Sequence, residues 1–146
     1  MMVQDVVGAR SDVFSISPDV TVHDAARYLR DREVRSVAVV DAAGRLAGVV
    51  SQSDISDKVA AENKCPAWMR VSEIMSTRLV TVTPETPLRD CLQLMEQNGI
   101  FHLLVVEPRG QYRGMVSIRD LLVLIASDEK ARADMLESLV LDGRSV

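Results

Sequence analysis

Two seven-residue stretches carry the same polar residues at the same spacing. They are Gly48-Val49-Val50-Ser51-Gln52-Ser53-Asp54 and Gly114-Met115-Val116-Ser117-Ile118-Arg119-Asp120. A glycine here leaves room for backbone or a ligand to approach a strand. A serine at the strand end, followed by the unpaired N–H groups of a helix start, makes a small nest that tolerates an anion. An aspartate three residues later can accept two hydrogen bonds from a vicinal diol, such as a ribose 2′,3′-diol. The same serine and aspartate can instead simply cap the helix that follows. The spacing leaves both readings open.

Little else in the chain marks a reactive centre. His23 and His102 have no cysteine or carboxylate at metal-ligand spacing, so no metal site is expected. The nucleophile elbow, the P-loop and G-x-G-x-x-G are all missing from the sequence. Cys65 and Cys91 make neither a disulfide framework nor a zinc site. With no nucleophile or base singled out, the chain is not expected to be an enzyme, and neither a catalytic residue nor a required cofactor is expected.

The elements that must position these residues come twice. Residues 13–60 lie over residues 79–126 without a gap. Pro18 falls on Pro84, Asp24 on Asp90, Gly44 on Gly110, Gly48 on Gly114, and Asp54 on Asp120. The lead-in also repeats, Asp5-Val6-Val7 matching Glu73-Ile74-Met75. In each half a short strand (Val13 to Ser17, Leu79 to Thr83) is closed by proline. A helix follows, with Val22, Ala25, Ala26 and Leu29 as its apolar stripe in one half and Leu88, Cys91, Leu92 and Met95 in the other. Thr21 with Asp24, and Thr86 with Pro87, supply helix starts, and Asn98-Gly99 supplies a stop. A buried-type strand (Val37 to Val40, Leu103 to Val106), a glycine turn, a further strand (Leu46 to Ser51, Tyr112 to Ser117) and a second helix near Asp54 or Asp120 complete the unit. The pattern is β-α-β-β-α, twice.

Cys91 sits on an inward stripe and reads as a core residue, and His23 lies on the polar face of its helix. Trp68 and Met69, in the segment joining the halves, read as a packing clamp. After Ala126 a polar stretch leads into a tail helix with Ala131, Met135, Leu136, Leu139 and Val140 on one side, for which Ser127 is a candidate cap. Such a stripe must be buried on its own module or on a partner.

The 146 residues are 47% apolar and 26% charged, with a formal net charge of -4 and a pI near 5.2. That excludes a disordered protein and argues against nucleic-acid binding, which needs a basic face. No apolar run is long enough to span a bilayer, and the start lacks the basic and apolar regions of a signal peptide. A soluble cytoplasmic protein, with no membrane association, is expected.

With its two motifs in register on this unit, the sequence resembles the cystathionine β-synthase (CBS) domain pair, or Bateman module. Val39-Val40-Asp41 and Val105-Val106-Glu107 are similar to the family's central strand, and Val71 to Ser76 to the segment that opens a unit. The resemblance implies a mixed α/β (α+β) fold of two tandem CBS units forming one pseudo-twofold module, plus a C-terminal helix. The expected divisions are residues 1–60, a linker 61–72, residues 73–127 and a helical tail 128–146.

The resemblance also implies ligand clefts between the halves. In the first, Asp54 would hold a ribose, Ser51 and Ser53 would lie near phosphate, and Arg35 and Ser36 would contact phosphate or adenine. In the second, Asp120 takes the ribose, Ser117 the nest and Arg119 the phosphate, with Phe101 and His102 before the strand. Thr77 and Ser11 would line the phosphate ends. Arg32, Lys58 and Arg78 are further cations in the neighbourhood. One cation or so per cleft suits a mono- or diphosphate, so the expected ligands are AMP or ADP, then ATP, then NAD(H) or S-adenosylmethionine. The implied function is a stand-alone regulatory module that senses adenine nucleotides and cellular energy, forms a homodimer, and signals by conformational change to a protein partner in trans. The alternative is a ligand-independent dimerisation or interaction scaffold.

Overall fold

A computed structural model of the chain describes residues 1–8, 13–127 and 129–141. The candidate phosphate-end residue Ser11 and the first tail residue Asp128 lie outside them. Among these residues the chain forms α1 (Gln4–Val7), β1 (Ser15–Ile16), α2 (Val22–Arg32), β2 (Ser36–Val40), β3 (Leu46–Ser51) and α3 (Gln52–Ile55), which runs on into a π-helical turn, Ser56–Ala60. Two short 3-10 turns, Pro66–Trp68 and Val71–Glu73, lead to β4 (Thr81–Val82), α4 (Leu88–Asn98), β5 (His102–Val106), β6 (Tyr112–Ser117), α5 (Ile118–Ser127) and α6 (Glu129–Leu141). The repeated β-α-β-β-α pattern is the observed one.

Helix boundaries follow local chemistry. Thr21 caps α2, its hydroxyl accepting the Asp24 N–H at 3.1 Å. Both first helices end in a left-handed residue, Gly99 at φ 62° and, in the matching position, Glu33 at φ 55°. Glycine takes that conformation without the crowding a Cβ brings, so Glu33 carries a strain that Gly99 avoids. Thr86 departs from expectation: its hydroxyl accepts the Thr83 N–H at 3.0 Å, tying the turn before α4 together, while Pro87 occupies the cap position.

Each half forms its own three-stranded sheet, ordered β1-β2-β3 and β4-β5-β6. The first pairing in each is parallel, as a strand-helix-strand crossover requires. The hairpin β2–β3 is antiparallel, with Ser36 opposite Ser51 and a register shift between Val39 and Val40.

The chain divides into two compact units. One consists of Met1–Ser11, Val80–Glu107 and Arg113–Val146, the other of Asp12–Leu79 and Pro108–Tyr112. Each lead-in is thus built onto the other repeat's strands. Val3 N–H donates to Thr86 O at 2.9 Å, and Val3 and Val7 join Cys91, Leu103, Val105 and Leu121 in one core. Val71 N–H donates to Val20 O at 2.9 Å, and Val71 and Ile74 join Val22, Leu29, Val37 and Val50 in the other. The β-branched lead-in residues fill the end of a core that a three-stranded sheet and its helices leave open.

Cys91 is fully buried, as its stripe requires. Burial first, and the neighbouring Asp90 charge second, push its thiol up to about 11. Trp68 is no clamp: it is 85% exposed on its short turn, and only Met69 packs against a core. The tail stripe divides, Met135 packing on the core of its unit while Leu136 and Val140 stay exposed. Ser127 belongs to α5, its hydroxyl donating back to Leu124 O at 2.9 Å. No helix among the described residues is long and apolar enough to cross a membrane.

Candidate functional site

The two motifs share a skeleton. Ser51 and Ser117 each end a strand, and their hydroxyls accept the N–H of Asp54 and Asp120 at 3.1 Å. In return the carboxylates accept the serine N–H groups, at 2.9 Å for Ser51 and 2.8 Å for Ser117. These are reciprocal capping boxes. The residue before each central strand closes the same turn: Arg35 O accepts Gln52 N–H, and Phe101 O accepts Ile118 N–H, both at 2.9 Å.

Beyond that skeleton the sites differ. Asp54 is buried, 8% exposed. Its Oδ2 accepts both the N–H and the hydroxyl of Ser51, at 2.9 and 3.1 Å. Its Oδ1 faces the Ser76 hydroxyl at 3.3 Å and the Lys58 ammonium at 3.0 Å. Lys58 also donates to Ile74 O at 2.8 Å. Ser76 reaches Asp54 because the lead-in lies against β3: Val49 and Ser76 exchange backbone hydrogen bonds of 3.0 and 2.8 Å. Gly48 permits that approach, since a Cβ there would meet Met75 Sδ at 2.8 Å and Ser76 O at 2.9 Å. Of the two uses of a motif glycine, close backbone is the one realised in this half.

Asp120 is half-buried and Arg119 exposed at the start of α5. Together with Asp5, Val6, Val123, Leu124 and Ser127 they line an open cavity of about 330 Å³. That is at the lower end of the volumes that hold small ligands. Its lining offers two carboxylates, a guanidinium and branched apolar side chains.

The remaining candidates spread around these centres. Ser36 is half-buried at the start of β2, opposite Ser51; Arg35 and Ser53 are exposed. Thr77 is exposed in the same compact unit as Asp54, next to Ser76. His102 is exposed at the start of β5, and Phe101 is 67% exposed. Two cations expected near phosphate are engaged elsewhere. Arg32 lies 3.5 Å over the Tyr28 ring and 5.8 Å over Phe14, and Lys58 sits on Asp54. The i,i+4 spacing of Asp54 and Lys58 on one helix was a usable signal for that pair. Ser76, distant in sequence, gave none. Among the described residues no cluster of His, Cys, Asp and Glu is placed to hold a metal ion.

The CBS domain family matches this chain twice, over residues 3–61 and 71–127. The chain belongs to the CBS domain family. Among relatives of this CBS pair, the CBS domain-containing protein YhcV of Bacillus subtilis is 34% identical over 121 residues, 83% of this chain and 84% of that one. The mitochondrial CBS domain-containing protein CBSX3 of Arabidopsis thaliana is 30% identical over 129 residues, 86% of this chain and 62% of that one. The crystal structure of a CBS-domain containing protein from Agrobacterium tumefaciens superimposes with a TM-score of 0.72 at 26% identity, covering 90% of this chain and 92% of its own. A CBS domain protein from Pyrobaculum aerophilum, complexed with AMP, shares the fold at a TM-score of 0.73 and 22% identity, covering 88% of this chain and 100% of its own.

Proposed function

We propose that this CBS pair is a regulatory module that takes up an adenosine-bearing nucleotide beside Asp120. The cavity at the start of α5 carries the reading: a carboxylate for a ribose diol and Arg119 for a phosphate line it together with apolar residues that suit a purine. The Pyrobaculum aerophilum protein, which shares this fold, is complexed with AMP, and that supports the reading. Ser117, Phe101 and His102 would complete the surroundings.

Among the described residues Arg119 is the one cation lining the cavity, against the carboxylates of Asp5 and Asp120. That balance favours AMP or ADP over ATP, which would bring further negative charge. NAD(H) and S-adenosylmethionine rank after these. Binding would bias the module between conformations and change the surface it offers to a protein partner in trans. The role is recognition without turnover.

The second reading is a scaffold that assembles without ligand, favoured by the exposed Leu122, Val123, Leu136 and Val140 on α5 and α6. A CBS-CP12 protein from bloom-forming cyanobacteria, 29% identical, is described as hexameric. Here a homodimer is the proposed state, in the cytoplasm.

Thermal melts with AMP, ADP, ATP with and without magnesium, NADH and S-adenosylmethionine test the reading. A ligand at about 100 times its dissociation constant adds about 2.7 kcal/mol, a rise of several degrees that Asp120→Ala abolishes. No shift with any of the panel, on protein stripped of ligand by unfolding and refolding, rejects the sensor in favour of the scaffold.

A further inference from the structure

We infer that the tail helix gives this CBS pair a second ligand site, a cavity for a small free α-amino acid with a branched apolar side chain, such as leucine. The inference is independent of the nucleotide reading.

The helix α6 lies beyond the repeat, which ends at residue 126, and it packs on α5 and α4 of its own compact unit. That packing leaves a cavity of about 100 Å³. Leu88 and Leu92, one turn apart on α4, line it with Ile125 of α5 and Met135 of α6, and Met1 adds a second thioether. Leu88 and Ile125 are buried. An apolar cavity of about 150 Å³ accepts a benzene ring, so the smaller space here suits a branched group of about four carbons. Methionine, unbranched and polarisable, adapts its shape to such a group. The cavity is too small for a nucleotide, and it shares no lining residue with the one beside Asp120.

Two charges border the apolar lining. Arg89 follows Leu88 on α4 and Asp134 precedes Met135 on α6; both line the cavity and both are exposed. Among the described residues no ion pair joins one to the other. A guanidinium takes a carboxylate through two parallel N–H bonds, and a carboxylate accepts from an ammonium. A free amino acid carries both groups on the carbon that bears its side chain. It offers each of these charges a partner, fills the apolar space with its side chain, and brings no net charge. A fatty acid would serve Arg89 but set its carboxylate against Asp134. An alkyl amine would serve Asp134 and face Arg89 with a like charge. One cation, one anion and a small apolar cavity together select the amino acid.

Isothermal titration of the full chain with L-leucine tests the inference, beside isocaproate, which lacks the amino group, and isoamylamine, which lacks the carboxylate. One equivalent of leucine per chain is expected, with both truncated ligands at least about tenfold weaker, since each loses a charge-assisted contact. Arg89→Gln and Asp134→Asn, each checked for native circular dichroism, should weaken leucine by about the same factor. Isocaproate or isoamylamine binding as tightly as leucine would show that the apolar space alone selects, and it overturns the inference. So does a wild type that gives no heat up to about 10 mM leucine, or a leucine affinity unchanged in either variant.

Methyl spectra of protein labelled at methionine locate the site. Leucine should move the Met1 and Met135 signals and leave in place that of Met75, which belongs to the other compact unit. Heat of binding with neither Met1 nor Met135 moved puts the ligand elsewhere and rejects the cavity. None of these outcomes bears on the nucleotide reading, which is decided at Asp120.

Discussion

Replacing Asp54 by alanine tests how much the first motif contributes to folding. The substitution leaves the half-buried Ser51 N–H without its acceptor, a loss of about 1–3 kcal/mol. The Ser76 hydroxyl loses a long bond of 3.3 Å, for which about 0.5–1 kcal/mol is appropriate. The ion pair with Lys58 adds less than about 1 kcal/mol, because the lysine side chain is 46% exposed and partly screened by water. Together these give a destabilisation of about 3 kcal/mol. For a chain of this length that lowers the melting temperature by about 6–12 °C. Lys58→Met should cost under about 1 kcal/mol, and Ser76→Ala about the same. Urea unfolding followed by circular dichroism is the suitable assay, since Trp68 is already exposed and its fluorescence would report little. An Asp54→Ala protein within about 0.5 kcal/mol of wild type, or no less stable than Lys58→Met, would show that the buried carboxylate holds nothing together.

The helix stops give a paired expectation: Glu33→Gly should gain about 0.5–1 kcal/mol by relieving a left-handed residue, while Gly99→Ala should lose a similar amount although its Cβ meets nothing within 4 Å. Opposite signs in urea unfolding support the backbone explanation, and equal signs refute it. In Gly48→Ala the new Cβ collides with Ser76 O and Met75 Sδ, so about 1–3 kcal/mol should be lost as overpacking, and hydrogen exchange should quicken at Val49 and Ser76; unchanged exchange would contradict the close approach. Cys65 should react at once with a thiol reagent at pH 8 and Cys91 only on unfolding. Because the folded Cys91 thiol ionises at about 11 against an ordinary 9.0, its contribution is intact below pH 9. It is lost as pH rises toward 11, where the unfolded chain releases a proton that the folded chain keeps, a change on the order of 2 kcal/mol. Cys91→Ala should flatten that part of the stability profile; an unchanged profile would reject it.

Much of the fold could be read from local pattern. The apolar stripes of α2 and α4 became buried helix faces, and the third strand of each half came out at Leu46–Ser51 and Tyr112–Ser117 as expected. Those signals are short-range: periodicity, prolines, glycines at positive φ and serine or threonine caps act within a few residues of where they stand. Of the expectations that failed, one depended on distant neighbours and one on a choice between near ones. Trp68 could have been covered by any passing element, and none among the described residues covers it. Thr86 had two nearby N–H groups to serve, and the turn to Thr83 took its hydroxyl.

By itself the sequence determined that two like units exist, that each carries Gly-x-x-Ser-x-x-Asp at a strand-to-helix junction, and that the family is that of the CBS domain. Only the tertiary structure decided what surrounds the carboxylate of the first motif. The lead-in 71–76 runs beside β3 because Gly48 has no Cβ and because Val71 and Ile74 are drawn into the core. That placement brings a serine hydroxyl and a lysine ammonium to one buried carboxylate from positions 22 and 4 residues away. A spacing rule registers the nearer contact and is blind to the farther, because the hydrophobic burial that closes the core is what sets the distance between them.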